Sequence, residues 1–265
     1  MPKDCPYKGK FFQLHEHQVK DLIIAEMTMT EFAAGLERTR TIFLPFGSTE
    51  EHGRHLPLDT DTMQVDAVVK MAAALHATFV APPLHYGICR STSEHPGTVG
   101  VGPDSFRALV RDLIRGYYKQ GLRNFILISG HAGKTHIGAL VEVGEEMLTA
   151  FTDIRVAVIN EYDFCLQAGR ELIQTLGDAH AGEVETSRIQ YLFPKLVKGT
   201  SPREFPNFPD YILVRDKQAC WPGGVWGDPA WAGAEKGGEL CRLSAAALAE
   251  FVKKFEQFKE PSERG

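Results

Sequence analysis

Cysteine is scarce and scattered in this chain of 265 residues. The five cysteines contain no Cys-x-x-Cys pair, and their number is odd. This pattern argues against a disulfide framework and fits free thiols in a reducing compartment. The first residues also lack an apolar stretch. We therefore expect no signal peptide and a cytoplasmic location.

The sequence also has no long hydrophobic run and no strong excess of positive or negative charge. No run of about 18 apolar residues occurs, which argues against a transmembrane helix. The net charge of −5 offers no basic surface for nucleic acid or for an anionic membrane. The hydrophobic fraction of 43% and the charged fraction of 24% are ordinary for a globular protein. We expect one domain over residues 1–265, with neither nucleic acid nor membrane as a partner.

Short apolar segments alternate with segments of helical spacing. The predicted strands are 41–46, 78–81, 124–129 and 155–160. The predicted helices are 62–75, 105–120, 134–151, 162–175, 183–193 and 239–258. Such alternation predicts the α/β class, with a parallel sheet covered by helices on both faces. Two Gly- and Pro-rich segments, 82–103 and 199–233, interrupt the pattern, and loops of that length are usually functional.

The densest group of potential metal ligands follows the first predicted strand. Glu50, His52, Asp59 and Asp61 lie within a dozen residues. Carboxylates and imidazoles are ligands that suit zinc, manganese and iron, and buried charges are costly unless they are paired or metal-bound. Ligands of open α/β sheets bind at the carboxyl ends of the strands. The segment therefore predicts a divalent metal site at that edge of the sheet.

Four further motifs occupy predicted strand ends, helix starts or the two long loops. They are SEHPGT (93–98), ISGHAGK (128–134), HAGEVETS (180–187) and GGVWGDP (223–229). Glycine allows the backbone to approach a bound ion or substrate closely, and helix N-termini favour anionic groups. Together with PFGSTEEHGRHLPLDTD (45–61), they form a specific combination that covers most of the chain.

With these five motifs in this order, the sequence resembles the creatininase (creatinine amidohydrolase) superfamily. The resemblance implies a three-layer α/β/α fold with a mixed, mostly parallel central sheet. It also implies a binuclear site for two divalent metal ions, zinc, manganese or iron, often in a homohexamer. Such a pair of ions would lower the pKa of a shared water molecule and polarise the substrate carbonyl.

The resemblance also assigns the metal ligands residue by residue. Glu50, His52, Asp61 and His131 match the family's ligands, with Asp61 bridging both ions. Glu183 matches the acid that completes the second ion in many members. In creatininase itself, a glutamate two positions after the Gly-His histidine has that role, and Gly133 stands there in this chain. This departure argues against creatinine as the substrate.

Cleavage of an amide also needs an acid for the departing nitrogen. We predict His180 as that acid, with Glu185 and Glu94 as alternatives, because histidine titrates near neutral pH. Glu183 is also predicted to be catalytic, with the choice between metal ligand and acid/base left open, and as a first-turn acid it could instead merely complement the helix dipole. His180 could instead only orient a ligand.

Three residues within the motifs are predicted to face the substrate: Glu94, His95 and Gly133. The resulting hypothesis is a metal-dependent amidohydrolase that cleaves a non-peptide C–N bond of a small cyclic or linear amide. One alternative is another hydrolysis at the same site, of a formamide in pyrimidine metabolism, a cofactor-precursor peptide or a keto-inositol. A second alternative is a metal-free binding protein that keeps the fold.

Overall fold

A computed structural model describes residues 22–259 of the protein. Within them four strands form one parallel sheet in the order β2-β1-β3-β4. The strands are β1 (Thr41–Phe46), β2 (Phe79–Val80), β3 (Asn124–Ser129) and β4 (Arg155–Asn160). Three strands have the predicted bounds, and the prediction of 78–81 shrinks to the two residues of β2.

Helices fill the three connections between the strands and also lie before β1 and after β4. They are α1 (Met29–Gly35), α2 (Thr60–Leu75), α3 (Pro103–Lys119), α4 (Lys134–Ala150), α5 (Glu161–Ala168), α6 (Glu183–Leu192), α7 (Lys217–Cys220) and α8 (Ala234–Gln257). The bounds of α2, α3, α4 and α6 agree with the predictions to within two residues. The two short helices α1 and α7 were not predicted.

Glycines explain the two helices whose bounds differ most from the predictions. The helix predicted over 162–175 is wrong beyond Ala168, because the chain turns at Gly169, where a Cβ atom would lie 2.2 Å from Leu240 Cδ2. Conversely, α8 begins five residues before the predicted start at 239 and includes Gly237. A Cβ atom there would lie 1.8 Å from the backbone oxygen of Ser187 in α6. Gly237 therefore permits backbone contact between two helices and does not mark a helix end.

Helices cover both faces of the sheet. Side chains alternate between the faces along a strand. Leu44 of β1 and Leu127 of β3 pack in one hydrophobic cluster with residues of α3 and α4. Phe43 and Ile126, one position away on the same strands, pack in a second cluster with residues of α2 and α8. The predicted three-layer α/β/α architecture is confirmed.

The strand register brings three chain segments together at the carboxyl edge of the sheet. Phe46 of β1 pairs with Ser129 of β3, which pairs with Asn160 of β4. The strands therefore end level, and the loops that follow β1 and β3 emerge side by side. These loops carry the first and third sequence motifs.

The described residues also bear on the sequence-based exclusions. None of the helices within residues 22–259 is long and apolar enough to cross a membrane. Cys89, Cys165, Cys220 and Cys241 are free thiols, as predicted, and Cys5 lies outside the described residues.

Candidate metal centre

Two adjacent groups of potential metal ligands lie at the carboxyl edge of the sheet. The first donor group is Glu50, Cys89 and His131, and the second donor group is His52, His180 and Glu185. In each group the ligand atoms lie within 4.8 Å of one another. All of these residues except His180 are buried, and 13% of the His180 side chain is exposed.

Asp61 lies between the two donor groups. Its Oδ1 atom is 3.0 Å from Nε2 of His52, and its Oδ2 atom is 3.1 Å from Nδ1 of His131. The hydroxyl of Ser48 donates to Oδ2 at 2.5 Å. Asp61 lies in the first turn of α2, where the helix dipole favours a carboxylate. One oxygen of Asp61 therefore faces each donor group.

Backbone carbonyls orient His52 and His131, the two histidines that face Asp61. Nδ1 of His52 lies 3.0 Å from the oxygen of Glu50, and Nε2 of His131 lies 3.1 Å from the oxygen of Ile88. A carbonyl oxygen only accepts, so these nitrogens carry the protons. In the neutral tautomer, the opposite nitrogen of each ring presents a lone pair to the Asp61 carboxylate. Metal-binding histidines are usually held in this way.

The charges of the cluster are strongly coupled. Burial alone would lower the pKa of His52, but Asp61 and Glu185 outweigh burial and raise that pKa to about 10. Burial would raise the pKa of Glu50, but His131 outweighs it and lowers that pKa to about 2. Burial and Glu50 together raise the pKa of the Cys89 thiol to about 12. The histidines and the carboxylates of the cluster therefore stabilise each other's charged forms.

The residues present fit a pair of divalent cations. Within residues 22–259, the side-chain partners of Glu50, Asp61 and Glu185 are histidines, hydroxyls and an amide, with no lysine or arginine among them. Buried carboxylates without a permanent positive partner are costly. Oxygen and imidazole donors suit zinc, manganese and iron. The chemistry of the donors therefore supports the predicted binding of two divalent metal ions.

The structure corrects the role predicted for Glu183. Its carboxylate accepts hydrogen bonds from the backbone amides of Gln174 and Thr175 and pairs with Lys236, away from both donor groups. Glu185 enters the second donor group instead, with Oε2 3.7 Å from Nε2 of His52. Positions i and i+2 of a helix point about 200° apart, so only one of the two glutamates faces the cluster. Glu183 is therefore neither a ligand nor a catalytic residue in the proposal below.

Strain at Ala181 helps to hold Glu185. Ala181 has a positive φ of 48°, which is uncommon for a residue other than glycine. Its amide donates to Oε2 of Glu185 at 2.5 Å, and the side-chain amide of Gln64 donates to Oε1 at 3.2 Å. The His-Ala-Gly turn thus directs a backbone donor at the carboxylate.

The fifth sequence motif supports His180. The backbones of His180 and Trp226 exchange hydrogen bonds of 3.2 and 2.7 Å. The His180 ring stacks near His52, with ring centroids 4.2 Å apart, and its Nε2 donates to the carbonyl oxygen of Glu51 at 2.8 Å. Gly224 has a φ of +64°, and a Cβ atom there would lie 1.9 Å from Oε2 of Glu51. Gly224 therefore lets this loop pass directly against Glu51, whose carbonyl oxygen accepts the hydrogen bond from His180.

The three residues predicted to face the substrate lie in different surroundings. Gly133 lies beneath His131, where a Cβ atom would be 2.6 Å from Nε2. His95 is buried, and its Nε2 donates to the Trp221 carbonyl at 2.6 Å. Glu94 is exposed and accepts a hydrogen bond from the backbone amide of Lys217 at 2.9 Å. Glu94 belongs to neither donor group, and its contact with the substrate stays a prediction.

Three contributors were missed by the sequence reasoning: Ser48, Cys89 and Thr92. The hydroxyl of Thr92 donates to Oε1 of Glu50, and that of Ser48 lies 3.3 Å from Oε2 of the same residue. Ser48 belongs to the first motif, so its place beside the ligands offered a signal. Cys89 and Thr92 lie in the irregular 82–103 loop, where neither periodicity nor spacing indicates which side chains turn inward.

Fold and site together define an α/β protein with a candidate binuclear metal centre at the carboxyl edge of a parallel sheet. The family model described as creatinine amidohydrolase matches residues 25–252. The chain belongs to the creatininase family. This membership confirms the resemblance seen in the sequence and the prediction that the chain is a hydrolase.

Individual relatives differ in what they act on. The chain is 30% identical over 213 residues to the mycofactocin precursor peptide peptidase of Mycobacterium ulcerans, covering 74% of this chain and 78% of the relative. It is 26% identical over 254 residues to the creatinine amidohydrolase of Pseudomonas putida, covering 88% and 97%. A solved variant of creatininase, described as Zn–Zn type, superposes with a TM-score of 0.77 at 25% identity, covering 89% and 99%.

Proposed function

We propose that this chain is a binuclear metal-dependent amidohydrolase that cleaves a non-peptide C–N bond of a small amide. The observation that carries the proposal is the position of Asp61. Its two carboxylate oxygens face Nε2 of His52 and Nδ1 of His131. A shared carboxylate between two buried donor groups supports two neighbouring cations. The similarity to a Zn–Zn form of creatininase supports the same assignment.

The ligand set follows from the two donor groups. Glu50 and His131 would hold one divalent ion, His52 and Glu185 the other, and Asp61 both. When bound, the ions would activate a water molecule and polarise the substrate carbonyl. The set suits zinc, manganese or iron. A homohexamer in the cytoplasm remains a proposal from the family resemblance.

His180 is the residue best placed to move a proton. It is the most exposed side chain of the second donor group, with 13% exposure against 0% for His52 and 3% for Glu185. Burial and His52 would lower its pKa, but Glu51 and Glu50 outweigh them and raise it. With Nε2 donating to the Glu51 carbonyl, Nδ1 is the atom that would carry the proton to the departing nitrogen.

A peptide is the second candidate substrate, favoured by the similarity to the mycofactocin precursor peptide peptidase. Both candidates need the same metals and the same proton donor, so the metal centre does not distinguish them. Two aromatic rings lie near His180: the Trp221 ring centroid is 5.1 Å from that of His180, and the Trp226 centroid is 6.2 Å from that of Trp221.

The first experiment measures metal per chain by mass spectrometry, on protein purified without chelator and again after reconstitution with zinc or manganese. We expect about two equivalents in the wild type and a sharp loss in His131→Ala. His76→Ala is the matched control, since that histidine pairs with Glu256 away from the cluster. Turnover of lactams, ureas, formamides and short peptides by the loaded enzyme then identifies the substrate class.

Two results would count against the proposal. A wild type without metal even after reconstitution would favour the binding-protein alternative. A loaded enzyme that is inert toward all amides of the panel would favour another hydrolysis at the same centre.

A further inference from the structure

Cys89 occupies a position that the proposed ligand set does not use. Its side chain is buried, with 6% exposure, and its Sγ lies within 4.8 Å of the ligand atoms of Glu50 and His131. The contact of Sγ with the Gly87 carbonyl is long, at 3.9 Å. The thiol therefore lies at the first donor group, beside the Ser48 hydroxyl.

We propose that Cys89 is a thiolate ligand of the ion held by Glu50 and His131, and that it makes this position selective for zinc over manganese. The inference rests on the proposed binuclear centre and adds a donor to it. On binding, the thiol proton leaves to solvent and a metal–sulfur bond replaces the S–H bond.

The geometry allows this bond with small movements. Zinc binds sulfur at about 2.3 Å and nitrogen or oxygen at about 2.0–2.2 Å, so tetrahedral donors lie roughly 3.3–3.7 Å apart. Nδ1 of His131 and Oε2 of Glu50 are 2.8 Å apart and would separate slightly. Sγ lies within 4.8 Å of one ligand atom of each of these residues and would need to approach by at most roughly 1–1.5 Å to reach such separations.

The backbone beside Cys89 is held by the site itself. The Ile88 oxygen accepts a hydrogen bond from Nε2 of His131 at 3.1 Å, and the Ile88 amide donates to Nδ1 of His136 at 3.2 Å. The Gly87 oxygen accepts from the Val101 amide at 2.9 Å. The hydrogen bond that orients the His131 ring thus also fixes the residue before the thiol.

The donors of the two groups differ in chemical character. The first donor group contains a sulfur atom, and the second contains only imidazole and carboxylate donors. Thiolates favour zinc and other soft or borderline ions, whereas manganese prefers oxygen ligands. We therefore expect a zinc-selective first position beside a more permissive second position.

Cobalt substitution tests the proposal with a spectroscopic readout. Wild type loaded with two equivalents of Co²⁺ should show a near-ultraviolet sulfur-to-cobalt charge-transfer band. Cys89→Ser should lack this band, and Cys220→Ser, a control at a partly exposed thiol outside both donor groups, should retain it. In competition between zinc and manganese, Cys89→Ser should lose zinc preference at the first position by at least about tenfold, since even changes beyond the ligands alter metal affinity ~10–100-fold.

A second measurement keeps the test valid if Cys89→Ser does not fold. X-ray absorption of the zinc-loaded wild type should show a sulfur neighbour at about 2.3 Å. Two bound cobalt ions with no charge-transfer band, or zinc with only nitrogen and oxygen neighbours, would overturn the role of Cys89 and leave the binuclear centre standing. A protein that binds no cobalt or zinc would overturn both proposals.

Discussion

Two buried clusters of charge in this protein are balanced in opposite ways. In the first, Arg188 of α6 makes two hydrogen bonds, of 2.8 and 3.1 Å, to the carboxylate of Glu161 at the start of α5. The hydroxyl of Ser244 in α8 donates to the same carboxylate at 2.6 Å. In the second, Asp61 and Glu50 meet only histidines and hydroxyls.

The difference separates a structural pair from a candidate site. Burial lowers and Glu161 raises the pKa of Arg188, with a net shift well above its ordinary value, so this pair keeps its own positive charge. The only side chains of the Asp61 cluster that can supply positive charge to its carboxylates are histidines, which titrate. A cluster that lacks a permanent cation of its own is suited to bind one, whereas a complete ion pair is suited to join helices.

Removing one carboxylate from each cluster tests this difference between them most directly. Asp61→Asn should lose both metal ions and at least ~1,000-fold in kcat/KM, equivalent to about 4 kcal/mol. Glu161→Gln should keep about two metal equivalents per chain, as expected of a binuclear centre. Metal analysis and steady-state kinetics check both variants. A metal-replete and active Asp61→Asn protein would show that Asp61 does not bridge the ions.

Arg188→Met should affect stability and not metal content. It leaves the buried Glu161 carboxylate without its cation, which typically costs about 3–5 kcal/mol. The free energy of unfolding in urea measures the loss. Adding Glu161→Leu should recover most of it, because no buried charge then remains. If the single variant costs less than about 1 kcal/mol, the pair is not the helix-joining contact inferred from its full burial.

Metal removal should destabilise the protein through the Asp61 cluster alone. At free metal about 100 times above the dissociation constant, binding contributes about 2.7 kcal/mol, so chelation should lower the Tm of a protein of this size by roughly 5–10 °C. Arg188→Met should show the same shift from a lower starting Tm, and Asp61→Asn should show none. Calorimetry with and without chelator makes the comparison, and an unchanged wild-type Tm would contradict it.

The smallest expected effects separate the two glutamates of α6. Glu185→Gln should weaken binding of the second metal ion by at least about 10–100-fold. Glu183→Gln should leave metal affinity unchanged and cost about 1–3 kcal/mol of stability, since Glu183 satisfies buried backbone amides and Lys236. Metal titration and urea unfolding of both variants provide the readouts. Reversed results would restore Glu183 as the ligand.

Much of the fold and part of the site could be predicted from the sequence. The bounds of β1, β3 and β4 follow from short apolar segments whose period is local. Glu50, His52 and Asp61 are brought together by a short loop and the first turn of α2, so their proximity could be predicted from the sequence. Their roles as metal ligands remain predictions. The position of His131 near these residues could be predicted as well, because parallel strands that end level place the loops that follow them side by side.

The choice between Glu183 and Glu185 could not be made in this way. Both belong to one motif at the start of one helix, and local patterns are the same for either. The rotation of α6 about its axis decides which one faces His52, and that rotation is set by packing against α8 around Gly237 and by the Arg188–Glu161 pair.

By itself, the sequence determined the α/β architecture and the identity of the acids and histidines at the carboxyl edge of the sheet, because hydrophobic periodicity and short loops act over a few residues. Only the tertiary structure decided that Glu185 and Cys89 join those residues while Glu183 and Glu94 belong to neither donor group. Contacts between distant segments, such as Cys89 with Glu50 and His131, depend on how helices and long loops pack, and no local pattern encodes that packing.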